Sequence, residues 1–158
     1  QCGKFSNYVE ENRMHISNRV DIYGEQTIMN HKDEQIGTED DLLILATDIS
    51  ISDVFALTVE YGGVCYPAHI DRDSYSILAS LGDIPPECNF TAVEITNKGN
   101  IEELKQQYPI LKDLILIQSS DAHYLENMND PSAWLELEEN SPQAIITALQ
   151  NNCTRWGR

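Results

Sequence analysis

From Ser50 to the end of the chain, short apolar runs alternate with apolar residues at helical spacing. Leu114-Ile115-Leu116-Ile117 is an unbroken apolar run, and Val64-Cys65-Tyr66-Pro67-Ala68 is nearly one; both read as buried strands, as does Phe90 to Ile95. Ser50 or Ser52 can cap a helix whose apolar face is Val54, Phe55, Leu57, Thr58 and Tyr61. Gly62-Gly63 stops that helix, because glycine accepts the left-handed conformation that ends helices. Tyr75 to Leu81 predicts a short helix ending at Gly82, and Pro85-Pro86 prevents its continuation. Ile101 to Tyr108 predicts a helix that stops before Pro109, while Ala133 to Leu137 alternates like a partly exposed strand. Ser141-Pro142 starts a last helix, since proline suits a first turn; it runs to about Leu149.

The first part of the chain is less periodic. Phe5 to Tyr23 is mixed and polar and reads as helix. Gly24 to Gly37 reads as a hairpin, with Gln26 to Met29 as one strand, Asn30 to Asp33 as the turn and Gln35-Ile36 as the return. Asp40 to Ala46 fits a short helix or a strand. The expected organisation is one α/β domain over residues 1–158, with a helix and hairpin region at 1–47 and β/α units at 48–158. The order of elements after Ser50 predicts a mainly parallel sheet or part of a (β/α) barrel.

Composition changes this picture little. A chain of 158 residues can bury one sizeable core. Its net charge of −16 argues against a nucleic-acid backbone or an anionic membrane as the main partner. Cys2, Cys65, Cys88 and Cys153 have no metal-ligand spacing and too low a density for a secreted disulfide framework, so reduced thiols and a cytoplasmic protein are expected. No apolar stretch approaches the roughly 18 residues of a membrane span. The chain begins at Gln1 rather than Met, as expected of a processed chain or of one cut from something longer.

Candidate chemistry lies just beyond two of the apolar runs. His69-Ile70-Asp71-Arg72 follows one, and Gln118-Ser119-Ser120-Asp121-Ala122-His123 follows the other. In parallel α/β folds, ligands and metals bind at the carboxyl ends of strands. In an extended segment residues i and i+2 point the same way, so each pair offers an imidazole and a carboxylate in one direction. That donor mixture suits borderline divalent metals such as Zn²⁺ or Mn²⁺. Arg72 is the candidate for contacting a phosphate, because a guanidinium can hold two oxygens at once. Glu94, near the end of a third strand, could aim at the same rim. His15 and His31 lie in polar or turn segments and read as surface residues. No GxGxxG, Walker loop or GxSxG elbow occurs, which leaves nucleotide-kinase and serine-hydrolase readings without support.

The segment Gly62 to Ser76, containing Tyr66-Pro67-Ala68-His69-Ile70-Asp71-Arg72, resembles the later half of a PHP domain, of the polymerase and histidinol phosphatase superfamily. Ser119-Ser120-Asp121-Ala122-His123 resembles that superfamily's last metal motif, and the hairpin, Ala46 to Ser50 and Ala92 to Ile95 resemble a bacterial branch of it. The resemblance implies a distorted (β/α)₇ barrel, here partial, with the hairpin as an N-terminal insertion. It also implies several divalent metals (Zn, Mn or Fe) at the carboxyl rim and hydrolysis of small phosphate esters by a metal-bound hydroxide. By position His69, Asp121 and His123 match metal ligands, Asp71 and Arg72 match a loop beside the metals, and Glu94 matches no ligand.

The departures matter as much as the match. The family's first motif, His-x-His, is absent, as are the Asp-His element and the bridging Glu that follow it. Three side chains cannot build a multinuclear site, because each metal needs roughly four to six ligands. The leading expectation is therefore a carboxyl-terminal fragment of a metal-dependent phosphoesterase, completed by self-association or by a partner segment. A non-catalytic half-domain acting as a binding or scaffold module is the main alternative. A single-metal site on His69, Asp121 and His123 is a third.

Overall fold

Serine and asparagine side chains set where the helices begin. In the computed structural model, which describes residues 2–157, the chain forms two compact units, the first ending at Ile49 and the second beginning at Ser50. The first unit holds α1 (Cys2–Glu11), α2 (Val20–Tyr23) and an antiparallel hairpin of β1 (Thr27–Met29) and β2 (Gln35–Thr38). Asn30 shapes the hairpin turn, its Oδ1 accepting from the backbone N–H groups of Lys32 and Glu34 at 2.8 and 3.1 Å.

Two expectations for this unit are corrected. The helix expected from Phe5 to Tyr23 is interrupted between Glu11 and Val20, because residues in that gap pair with distant ones: Arg13 bridges Thr47, and Ser17 bridges Asp41. The Arg13 guanidinium, nearly buried, also reaches Glu10 at 2.9 Å and Glu39 at 3.3 Å. Asp40 to Ala46 is neither helix nor regular strand. The Gln26 carboxamide takes the place of a backbone ladder there. It donates to the carbonyls of Glu39 and Asp41 and accepts from Leu43 N–H.

The second unit is mixed α/β. Its helices are α3 (Ile51–Glu60), α4 (Ile77–Leu81), α5 (Ile101–Gln107) and α6 (Pro142–Gln150). Ser50, Ser76, Asn100 and Ser141 cap them, each accepting from a backbone N–H in the first turn. Gly82 ends α4 in the left-handed conformation at φ 79. The strands β3 (Ala92–Thr96) and β4 (Ile115–Ser119) pair in parallel, in register from Ala92 opposite Ile115 to Thr96 opposite Ser119, with α5 crossing between them. The short strands β5 (Trp134–Leu135) and β6 (Trp156–Gly157) pair antiparallel. Among the described residues the sheets are two-stranded and none closes into a barrel.

Alternation along β3 and β4 sends side chains to two cores. Val93, Ile95 and Leu116 pack with Ile77 and Leu78 of α4 and with Ile101 and Leu104 of α5. On the other face Ala92 and Ile115 meet Leu149 of α6, with Tyr66 and Ile117 beside them. The strand expected at Val64 to Pro67 does not form a regular ladder, since Pro67 has no N–H to give. Two bonds still tie this stretch to β3: Glu94 N–H donates to the Pro67 carbonyl, and Ile70 N–H to the Glu94 carbonyl, both at 2.9 Å. That is the pattern of a parallel neighbour with one extra residue, where His69 takes a positive φ of 34.

Ser76 joins this framework to the loop before it. Its buried hydroxyl accepts from Ala79 N–H at 3.1 Å and donates to the Arg72 carbonyl at 2.7 Å. Ser76→Ala should lower the unfolding free energy by about 1–2 kcal/mol in a urea titration, since both a cap and a loop tie are lost. A loss below about 0.3 kcal/mol would mean the hydroxyl makes neither bond in solution.

Candidate functional site

Because β3, β4 and the Pro67–Ile70 stretch run the same way, their carboxyl ends open on one edge of the second unit. The loops that leave those ends line an open cleft of about 1340 Å³, walled by Asp71–Ser74, Thr96–Asn100 and residues from Ser120 to Asn129. Ligands of parallel sheets bind at this edge because the connecting loops diverge there and leave a crevice.

Three of the four candidate residues meet in the cleft. Arg72 Nη2 lies 2.7 Å from Asp121 Oδ2, and His123 Nε2 lies 3.7 Å from Asp121 Oδ1. The Asp121 side chain is 21% exposed against 76% for His123, so the carboxylate is held at the back of the cleft while the imidazole reaches toward water. Asp121 sits in the left-handed backbone region at φ 48, which Asp tolerates better than most residues. The fourth candidate, His69, is half-buried, is not among the residues lining the cleft, and has a buried Nδ1 with no hydrogen-bond partner.

Asp71, expected only as a neighbour of the metals, has a defined task. Its carboxylate accepts from Thr96 N–H at 2.8 Å and from the Thr96 hydroxyl at 2.5 Å. Thr96 in turn organises the turn after β3: its hydroxyl oxygen accepts from Lys98 N–H at 3.3 Å and its carbonyl from Gly99 N–H at 3.1 Å. Asp71 thus ties the loop after one strand to the loop after the next. Glu94 is engaged in a similar cross-strand bond, accepting from the Ser119 hydroxyl at 2.5 Å. Burial pushes the Tyr66 phenol up, and the negative charge of Glu94 adds to that. Burial likewise raises the Cys65 and Cys88 thiols, both free, so neither is poised as a thiolate.

A metal centre needs several donors aimed at one point. Asp121 and His123 have the right chemistry, but a guanidinium already occupies the space in front of Asp121 Oδ2. Among the described residues no three His, Cys, Asp or Glu side chains converge as a metal-holding group. The described residues therefore do not by themselves form a complete metal site.

The cleft also contains residues that motif reading passed over. Lys98, exposed on the turn after β3, faces it together with Asn97 and Asn100. Thr96-Asn97-Lys98-Gly99-Asn100 is a cluster of turn-forming residues with one cation directly after a strand, and that was the available signal. No helix among the described residues is long and apolar enough to cross a membrane. Compared with known proteins, the chain matches no family model, no curated protein and no solved structure.

Proposed function

We propose that this chain is part of a metal-dependent phosphoesterase, a partial (β/α) barrel whose cleft receives a small phosphate ester. The reaction is hydrolysis: water supplies an oxygen to phosphorus, and the alcohol leaves with a proton. The observation that carries this reading is the meeting of Arg72, Asp121 and His123 where parallel strands end. Arg72 has donors beyond the one pointed at Asp121 and is suited to the phosphate oxygens. Asp121 and His123 belong, in this proposal, to a divalent-metal centre whose remaining ligands come from a second copy or another segment.

The test pairs elemental analysis of the purified protein, at known intact mass, with turnover of an aryl phosphate in added Mn²⁺ or Zn²⁺. Asp121→Asn is the informative variant, because Asn also tolerates the left-handed backbone and only the charge is lost. It is expected to lower both bound metal and turnover by at least about tenfold. Unchanged metal content and unchanged turnover would overturn the assignment.

One observation favours a second reading, a non-catalytic binding module. The 2.7 Å ion pair leaves Asp121 neutralised without a metal, as in a cleft that only binds. That reading expects no metal above background and no turnover, with anion binding in the cleft retained.

A further inference from the structure

Six Lys and Arg residues lie beyond Ser50, and four of them, Arg72, Lys98, Lys105 and Arg155, differ in what surrounds them. Lys105 sits 5.0 Å from the centre of the Trp156 ring, and Arg155 pairs with Glu136 at 3.3 Å. Arg72 is turned to Asp121. Lys98 also lines the cleft, is exposed, and forms no ion pair among the described residues. In a protein of net charge −16 an anion is repelled at long range, so any seat for it depends on local cations.

The placement of Lys98 follows from the backbone around it. A lysine on a loose turn loses several rotamers and a backbone's worth of freedom on binding, which weakens the contact. This turn is not loose. Asp71 accepts both the N–H and the hydroxyl of Thr96, and Thr96 then accepts the N–H groups of Lys98 and Gly99. Gly99 is buried against Asp71 so closely that an added Cβ would stand 2.9 Å from Asp71 Oδ2. Arg72 is the residue next to Asp71, so the bond from Asp71 to Thr96 joins the loop that carries Arg72 to the turn that carries Lys98. Of the carboxylates lining the cleft, Asp71 is bonded to Thr96, Glu103 to the Asn100 side chain at 3.2 Å and Asp121 to Arg72, while Asp73 and Glu126 line it as well, so the two cations have carboxylates to offset.

We propose that Lys98 completes, together with Arg72, the phosphate seat of the cleft, and that Asp71 is the positioning residue that holds Lys98 there. This rests on the reading of the cleft as a phosphate-ester site, and it assigns Lys98 a binding role that no strand-end motif predicts. Phosphate is bound by two cations on loops that line the same cleft, the guanidinium through its fork and the ammonium as a point charge.

The experiment titrates inorganic phosphate into the full chain in chelator-treated buffer at constant ionic strength, following backbone amide shifts by NMR. Wild type is expected to respond at Arg72, at 97–99 and at 120–123. Lys98→Gln should weaken binding about tenfold without altering the circular dichroism spectrum. Asp71→Ala should weaken it by the same factor, Asp71→Asn should not, and adding Lys98→Gln to Asp71→Ala should cost nothing further, since both act through one ammonium. Phosphate binding that depends on Arg72 but stays within twofold in Lys98→Gln would overturn the role of Lys98 and leave the proposed function standing. Independent, additive losses in the double variant would overturn the positioning role of Asp71. No response of the cleft to phosphate would overturn the phosphate reading, and this proposal with it.

Discussion

Ile95→Ala should remove about 2–5 kcal/mol of stability from the second unit, the largest effect expected of any single substitution here. Ile95 is 0% exposed, lies on β3 beside β4, and packs among Val93, Leu111 and Leu116 within the larger of the two cores. Truncation deletes three carbons and leaves a void that strands paired on one side and helices on the other cannot easily close. The effect also reaches the cleft. Ile95 lies between Glu94 and Thr96, the two residues that bond to Ser119 and Asp71, so a shift of β3 loosens both cross-strand ties. Denaturant unfolding of Ile95→Ala and of Leu125→Ala makes the comparison. Leu125 is 85% exposed, and its loss should stay within about 0.5 kcal/mol. Similar losses from both would mean that β3 is not the centre of the folded unit.

What could be read from the sequence follows from whether a local rule acted alone. Ser76, Ser141 and Gly82 act through their own turn, so α4 and α6 begin and end close to where the pattern puts them. Leu114 to Ile117 is buried or half-buried on both faces, and its continuous apolar character marks β4, which starts one residue later and ends two residues later. Partners far along the chain are invisible to such rules. Arg13 leaves the helical pattern because Glu39 and Thr47 hold it, and Gln26 shapes 39–43 through a side chain rather than a ladder.

The candidate site divides in the same way. Asp121 and His123 lie two apart and Arg72 follows an apolar run, so strand-end logic finds them, and the structure brings these three together. His69 obeys the same logic but stands where the chain carries an extra residue against β3, with a positive φ. A one-residue irregularity changes which face a side chain takes. It cannot be read from the residue types, and it separates His69 from the residues lining the cleft. The tie between Asp71 and Thr96 spans 25 positions and depends on the parallel crossover, so it emerges only once β3 is set beside the preceding loop.

That tie leads to the second large effect. Gly99→Ala should cost about 1–3 kcal/mol, although the change adds one methyl group to a turn near the surface. The added Cβ would meet Asp71 at Oδ2, Cγ and Cβ, at 2.9, 3.1 and 3.4 Å. Either the 96–99 turn moves, or the carboxylate leaves Thr96 and its N–H and hydroxyl lose their acceptor. Gly3, where an added Cβ meets nothing within 4 Å, supplies the control for the helix-forming and chain-stiffening effect of alanine itself. If the collision is with Asp71, the two substitutions cannot be additive. Asp71→Ala removes the atoms that crowd the new methyl, so the double variant Asp71→Ala/Gly99→Ala should be no less stable than Asp71→Ala alone. Thermal melts of the four proteins close the cycle. A double variant that loses the sum of the single losses would show that Gly99 is needed for its own backbone and not for the approach of Asp71, and the turn that carries Lys98 would then have no anchor in the preceding loop.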